Sequence, residues 1–322
     1  MALMCYSARI IQDYRYYVRS YGAQLGIKEF VDLFWRRRSD PKIKIPKAME
    51  AAFADLEGDD GNQIRAMIEE FKAQSATELE QKLFAQRKRL ADAERALLTK
   101  TTKALTESKR IASDKIEDAR TKLADLQRTE LKDDDSRIFP DHYAPVMVME
   151  GGQRVVKPMR YRCRLAGKPA FYDEKFPGTY NARRDNLENF WKGQFGYTHG
   201  ITVATAFYEN VNRHRAEGRE LGVDEKVSNV RLEFKPNPQQ DMLVACLWSH
   251  WTAPGEPDLL SFAAITDDPP PEVAAAGHDR CIIPINAQNI EAWLKPDPAD
   301  LAAQYAILDD RARPYYEHRM AA

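Results

Sequence analysis

The most reactive pairing this sequence offers is Met4-Cys5. A cysteine placed at a new N-terminus carries a free α-amine and a thiol on one residue, and both titrate close enough to neutrality to act as nucleophiles. Such a pair traps an aldehyde. The amine condenses to a Schiff base, and the sulfur then closes a five-membered ring. The written chain begins Met1-Ala2-Leu3, so this chemistry requires that translation start at Met4, which is the expectation, or that residues 1–4 be removed. Read alone, Cys5 is better described as a small apolar filler in a frayed terminus. What changes that reading lies far downstream.

Three short constellations there hold polar groups of the right kind. The first is Tyr180-Asn181-Ala182-Arg183-Arg184-Asp185, just after Pro177-Gly178-Thr179. The second is Phe207-Tyr208-Glu209-Asn210, at the end of a strand-like run. The third is Gly277-His278-Asp279-Arg280-Cys281-Ile282-Ile283-Pro284, where a polar triplet enters an apolar strand. Singly each has an ordinary explanation: Asn181 shapes a turn, Glu209 ends a strand, and His278 is a hydrogen-bonded structural histidine.

Taken with Met4-Cys5 and in this order, the segments resemble the SOS-response-associated peptidase (SRAP) domain family, whose pattern is Met-Cys, Asn-Ala-Arg-x-Glu, Phe-Tyr-Glu-Trp and His-Asp-Arg-x-Pro. The resemblance covers roughly the first 35 residues and 137–315. Asp185 stands where the family has Glu, and Asn210 where it has Trp. The family's Asn-x-Ala-Pro survives only as Tyr143-Ala144-Pro145, and its Trp-Gly as Tyr161-Arg162.

The resemblance implies covalent capture of abasic sites in single-stranded DNA, with a thiazolidine formed by Cys5. His278 then assists opening of the sugar ring, and Glu209 shuttles protons as general acid and base. Asn181 holds the terminal cysteine or the sugar, and Arg183 and Arg280 grip the flanking phosphates. Autopeptidase and lyase-like activities come with the family. Trp191, Phe195 and Tyr197 are candidates for base stacking, with core packing the commoner use. Two other classes stay open. One is a self-processing thiol peptidase with Cys5, His278 and Asn181 as nucleophile, base and orienting group. The other is a non-enzymatic adaptor built on a helical segment.

These residues need a scaffold, and composition outlines one. The 322 residues are 43% hydrophobic and 30% charged, enough for one sizeable core with an appendage. The 48 basic and 49 acidic residues leave a net charge of −1, so any nucleic-acid surface must be local. No apolar run approaches the roughly 18 residues of a membrane helix, and no secretory leader is evident. Four scattered cysteines without a CxxC pair suggest neither disulfides nor a zinc site, so no cofactor or metal is expected and a reducing cytoplasm is the simplest home, with nucleoid association when DNA is bound.

Ile10 to Trp35 reads as two short helices broken around Gly22 and Gly26, ending in Arg36-Arg37-Arg38, a solvated helix end or a phosphate-binding surface. From about Met49 to Lys132 proline vanishes and strong helix formers dominate. Leu83, Leu90, Leu97, Ala104 and Ile111 recur every seventh residue, which suits a helical hairpin, a long helix or a self-association arm. Lys132–Ser136 reads as a linker. Beyond it, about seven apolar runs from Ala144–Met149 to Cys281–Ile285 predict strands, with short helices at Ala287–Leu294 and Asp300–Asp310. The expected fold class is α+β: a strongly bent, barrel-like sheet domain formed by 1–48 and 137–322, interrupted by a helical arm over 49–136.

Overall fold

The computed structural model describes residues 7–222 and 224–321, so Cys5 lies outside the described residues. The chain divides into two compact units: Met1–Leu33 with Pro41–Asp55 and Lys132–Ala322, and Phe34–Asp40 with Leu56–Leu131.

The first unit is α+β. It begins with β1 (Ser7–Ile10), α1 (Tyr14–Tyr21), β2 (Gln24–Leu25) and the first part of α2 (Ile27–Arg37), whose residues from Phe34 on belong to the second unit, followed after a break by α3 (Lys47–Ala51). The two expected helices are present, but two short strands accompany them. Four and two residues are too few to display alternation, and only pairing with distant strands makes them extended. Asp13 caps α1 by accepting the Arg15 N–H, and Gly22 ends it in the left-handed conformation at φ 62°.

The remaining strands are β3 (Arg137–Ile138), β4 (Tyr143–Glu150), β5 (Gln153–Tyr161), β6 (Asn181–Arg183), β7 (His199–Asn212), β8 (Asn229–Asn237), β9 (Met242–Trp251), β10 (Leu259–Asp267), β11 (Cys281–Ile282), β12 (Pro284–Ile285) and β13 (Tyr315–Met320). All thirteen join one bent sheet, whose main path runs β12-β9-β10-β5-β4-β7-β1-β3. β9 also pairs with β7, which curls the sheet back on itself. β7 is the longest strand and is buried along nearly its whole length, because it pairs in different stretches with β1, β4, β8 and β9. That continuous burial explains its apolar, non-alternating sequence. The inner face is a single aromatic and aliphatic core that includes Phe207, Phe234, Phe262, Tyr161, Tyr180 and Tyr316. Phe207 stacks on Phe234 at 5.0 Å, with Tyr316 edge-on at 5.1 Å.

The expected Ala287–Leu294 helix is a 3-10 turn followed by an α-helical turn, and the Asp300–Asp310 helix runs Leu301–Asp309 with Asp300 as its cap. Lys132–Ser136 contains a 3-10 turn over Asp133–Ser136.

The second unit is a helical hairpin of α4 (Asp59–Thr99) and α5 (Lys103–Gln127). The seven-residue row is therefore cut between Leu97 and Ala104 by the turn at Lys100–Thr102, where the Thr102 hydroxyl accepts the Leu105 N–H at 3.2 Å. Arg89 Nε donates to Ser108 Oγ at 2.9 Å and Lys109 meets Glu94 at 3.0 Å, which fixes the antiparallel register. Gly61 must be glycine, since a Cβ there would lie 2.1 Å from the Leu56 carbonyl oxygen. The arginine triplet is not a solvated helix end: Arg37 is buried, with its guanidinium over Phe34 and Phe71, and Arg38 pairs with Glu70. No helix among the described residues is long and apolar enough to cross a membrane.

Candidate functional site

Glu209 owes its position to β7. Alternation along the strand turns Phe207 and Glu209 to one face and Tyr208 and Asn210 to the other. Phe207 and Glu209 stand opposite Phe234 and Leu232 of β8, so the carboxylate projects toward the packed core. A buried carboxylate needs a partner, and His278 supplies it. His278 Nε2 lies 2.9 Å from Glu209 Oε2, and neither side chain has any solvent exposure.

The imidazole is held by backbone on its other side. A short helix, Pro271–Ala275, ends at Gly277 with φ 93°, and the His278 N–H donates to the carbonyl of fully buried Val273. His278 Nδ1 lies 2.9 Å from the Arg280 carbonyl oxygen and donates to it. Burial by itself would lower the imidazole pKa. The Glu209 carboxylate and the Arg280 carbonyl outweigh burial and raise it above the ordinary histidine value. Both neighbours therefore favour the protonated ring. The Cys281 thiol nearby is pushed up by burial and by the Glu209 charge, which keeps it an inert, neutral thiol.

Asn181 and the His278 segment are organised by one strand. β6 runs parallel to β10, with Asn181 opposite Ala264 and Arg183 opposite Thr266. β11 runs antiparallel to the same end of β10, with Ile282 also opposite Thr266. The Asn-Ala-Arg and His-Asp-Arg segments thus flank β10 on its two sides. Asn181 is buried, and its N–H donates to the Gly178 carbonyl.

The two arginines of the sequence reading are not equivalent. Arg183 is 42% exposed and grips Asp185 with bonds of 2.8–3.2 Å. Asp185 holds the guanidinium above its usual pKa, and the charges of Asp279 and Asp268 add to this, which marks the two motif segments as electrostatic neighbours. Arg280 is buried, 3.8 Å from Asp279, and its main chain serves His278. Of the aromatic candidates, Trp191 and Phe195 are core residues, and Tyr197 is 60% exposed.

Sequence reasoning missed a polar cluster on the opposite face of β7. Tyr208 donates to Glu233 Oε1 at 2.8 Å, and Glu233 also meets Arg9 at 2.9 Å and Arg319 at 2.6 Å. Arg137 lies 3.6 Å above the Tyr208 ring and donates to Ser7 Oγ at 2.7 Å. Arg9, Arg137, Tyr208, Glu233 and Arg319 line a cavity of about 370 Å³ beside β1. The one available signal was the two-residue spacing of Ser7 and Arg9, which puts both on one face of a strand. Among the described residues, no group of three or more His, Cys, Asp or Glu side chains is placed to hold a metal ion.

The model of the family described as SOS response associated peptidase (SRAP) matches residues 95–321. No curated protein matches the chain. Solved structures similar to it include a protein from Bordetella bronchiseptica, 16% identical over 61% of this chain and 90% of that one, with a TM-score of 0.45. A protein from Bacteroides thetaiotaomicron is 12% identical over 58% and 78% of the two chains, with a TM-score of 0.46. A phage-related protein from Bordetella bronchiseptica is 17% identical over 58% and 81%, with a TM-score of 0.43.

Proposed function

The chain belongs to the SOS response associated peptidase (SRAP) family, and on that premise we propose that it captures abasic sites in single-stranded DNA through a thiazolidine on Cys5. The observation that carries this reading is the sealed 2.9 Å contact between His278 Nε2 and Glu209 Oε2. The strand that leads from Cys5 supports it. β1 pairs beside the strand that carries Glu209, with Ser7 opposite Tyr208, and Tyr6 alone separates Cys5 from Ser7, a tether of about 7 Å at full extension that must turn toward the Glu209 face.

The chemistry balances without a cofactor. The ring-opened abasic sugar presents an aldehyde, the Cys5 amine adds to its carbon, and the carbinolamine loses one water to give the imine. The thiol then adds to that carbon, its proton passing to nitrogen, and the ring closes. His278, whose protonated form Glu209 favours, donates to the sugar ring oxygen and to the departing hydroxyl, and Glu209 takes protons back. Dry surroundings favour the loss of water. Asn181 holds the cysteine or the sugar. Arg183 grips a phosphate by exchanging Asp185 for it, and Arg280 serves as the second phosphate ligand. The same imine, if it eliminates before the sulfur closes, gives strand cleavage of the lyase type. Residues 49–136 are read as an arm inserted into a domain formed by 1–48 and 137–322. Nucleoid association follows from binding DNA.

The test is incubation with a single-stranded oligonucleotide carrying one abasic site, read by denaturing gel and intact mass. A heat-stable adduct is expected from the native protein and none from Cys5→Ala. An undiminished adduct in that variant sinks the proposal. A second reading is a self-processing thiol peptidase using Cys5, His278 and Asn181. The anchoring of His278 Nδ1 on the Arg280 carbonyl leaves Nε2, 2.9 Å from Glu209, as the nitrogen that would pass protons in this reading. It predicts that Cys5→Ala protein retains residues 1–4 while native protein loses them, and intact mass separates the two.

A further inference from the structure

We propose that the turn end of the helical hairpin, residues 82–110, is a docking surface for the phosphate backbone of duplex DNA. The proposal stands on the hairpin's own charge and shape and does not depend on the capture chemistry.

The hairpin is electrically lopsided. Residues 82–110 carry nine Lys and Arg against three acids, whereas 59–81 and 111–131 together carry eleven acids against six basic residues. The three acids of the tip are already engaged: Asp92 with Arg95, Glu94 with Lys109 and Glu107 with Arg110. Arg87, Lys88, Arg89, Lys100 and Lys103 have no carboxylate within 4.0 Å among the described residues, and all but half-buried Arg89 are exposed. From Arg87 to the end of α4 the helix rises about 18 Å, so five cations without a carboxylate partner share a short stretch of the hairpin, two of them, Lys88 and Arg89, beside a shallow cavity of about 370 Å³. Lys103 even opens α5, whose first turn holds no acid, a place where helix electrostatics prefer an anion. A nearby phosphate would relieve that arrangement.

Shape and composition select the duplex over a single strand. Single strands are held in grooves with rings on which bases stack. Between 56 and 131 there is no Trp, Tyr or His, and Phe71 and Phe84 are the only rings. Phe71 is covered by Arg37, leaving Phe84, 73% exposed, as the one ring open to solvent at the tip. A basic end with a single exposed ring suits the outer phosphate ridges of a double helix, where recognition is by charge and carries no sequence information.

The test uses the full chain and an undamaged 20-base-pair duplex, with fluorescence anisotropy measured from 50 to 200 mM salt. Changing Arg87, Lys88, Arg89, Lys100 and Lys103 together to Gln should make the slope of log K on log salt shallower by about 4 to 5, at about 0.9 per phosphate contact. The native affinity should thus fall several-hundredfold more than the variant's over that range, by the same roughly 0.9-per-contact slope. A charge-conserving variant, Arg87→Lys with Lys88→Arg and Arg89→Lys, should keep the native slope, and far-UV circular dichroism should report equal helix in all three proteins. Unchanged duplex affinity and slope in the Gln variant would overturn the proposal. So would a loss confined to single-stranded DNA, or hairpin-dependent binding to 3:1 phosphatidylcholine–phosphatidylglycerol vesicles without duplex binding. Adduct yield on abasic single strands, run in parallel, separates the two ideas: Cys5→Ala should bind the duplex as the native protein does.

Discussion

Replacing Glu209 by Gln removes one charge from a fully buried pair and leaves its geometry nearly unchanged. At 2.9 Å two unit charges attract by about 6 kcal/mol for an effective dielectric constant near 20. Desolvation returns much of that, so the pair's net worth is small, yet deleting one partner of a buried pair costs about 3–5 kcal/mol because the other charge is stranded. His278 can escape by losing its proton. Its folded pKa lies above the ordinary value because of Glu209, so the pair's contribution is complete below about pH 6.5 and is lost as pH rises through the folded pKa. The deficit of Glu209→Gln should therefore be largest near pH 5.5, about 3–5 kcal/mol, and should shrink steadily on the alkaline side. Urea unfolding of both proteins from pH 5.5 to 9 measures this, and NMR titration of the His278 ring follows the proton directly. The variant's ring should titrate lower than the native one. A deficit that stays constant across that range, or an unmoved titration, would show that the contact is not an ion pair and would remove the proton-shuttling argument with it.

Three other expectations follow from single residues. His199 is buried against Trp293, donates from Nδ1 to the Trp293 carbonyl and accepts the Gly196 N–H, and burial lowers its pKa to about 3. The unfolded chain takes up that proton first, so stability should fall as pH drops below about 6.5, by about 2 kcal/mol at pH 5 from this residue, and His199→Asn should flatten that limb of the urea-midpoint profile. Arg162 holds φ 145°, where side chains are disfavoured, so Arg162→Gly should be about 1 kcal/mol more stable than Arg162→Ala, both having lost the 2.6 Å ion pair with Asp141; equal melting temperatures would contradict this. Phe207→Ala should cost about 3–5 kcal/mol, read by thermal unfolding, since its ring is buried and stacked on Phe234.

The long strands were legible because burial on both faces forces continuous apolar runs, as in Met242–Trp248 and Leu259–Ile265. The short ones were not. β6 is three residues whose extended state comes from β10, some eighty positions away, and no local pattern records such a partner. β1, β3 and β13 are polar at half their positions because their outer faces build the Arg9–Glu233 cluster. Arg37 misled for a related reason: a guanidinium stacked on two rings reads in sequence like any solvated arginine. The family was readable from four ordered motifs, but the Glu209–His278 contact spans 69 positions, and no spacing rule could supply its distance. Arg162, expected from the resemblance to stand where the family has glycine, adopts a φ of 145°, a region that favours glycine.

Because β10 carries the Asn181 strand on one edge and the strand following His278 on the other, it works as an alignment rail for both. A one-residue slip of either neighbour would swap inward and outward side chains at every position it touches. Damage to Phe262 or Ala263, both buried in the interior, should therefore blunt the proposed capture before the molecule loses its shape.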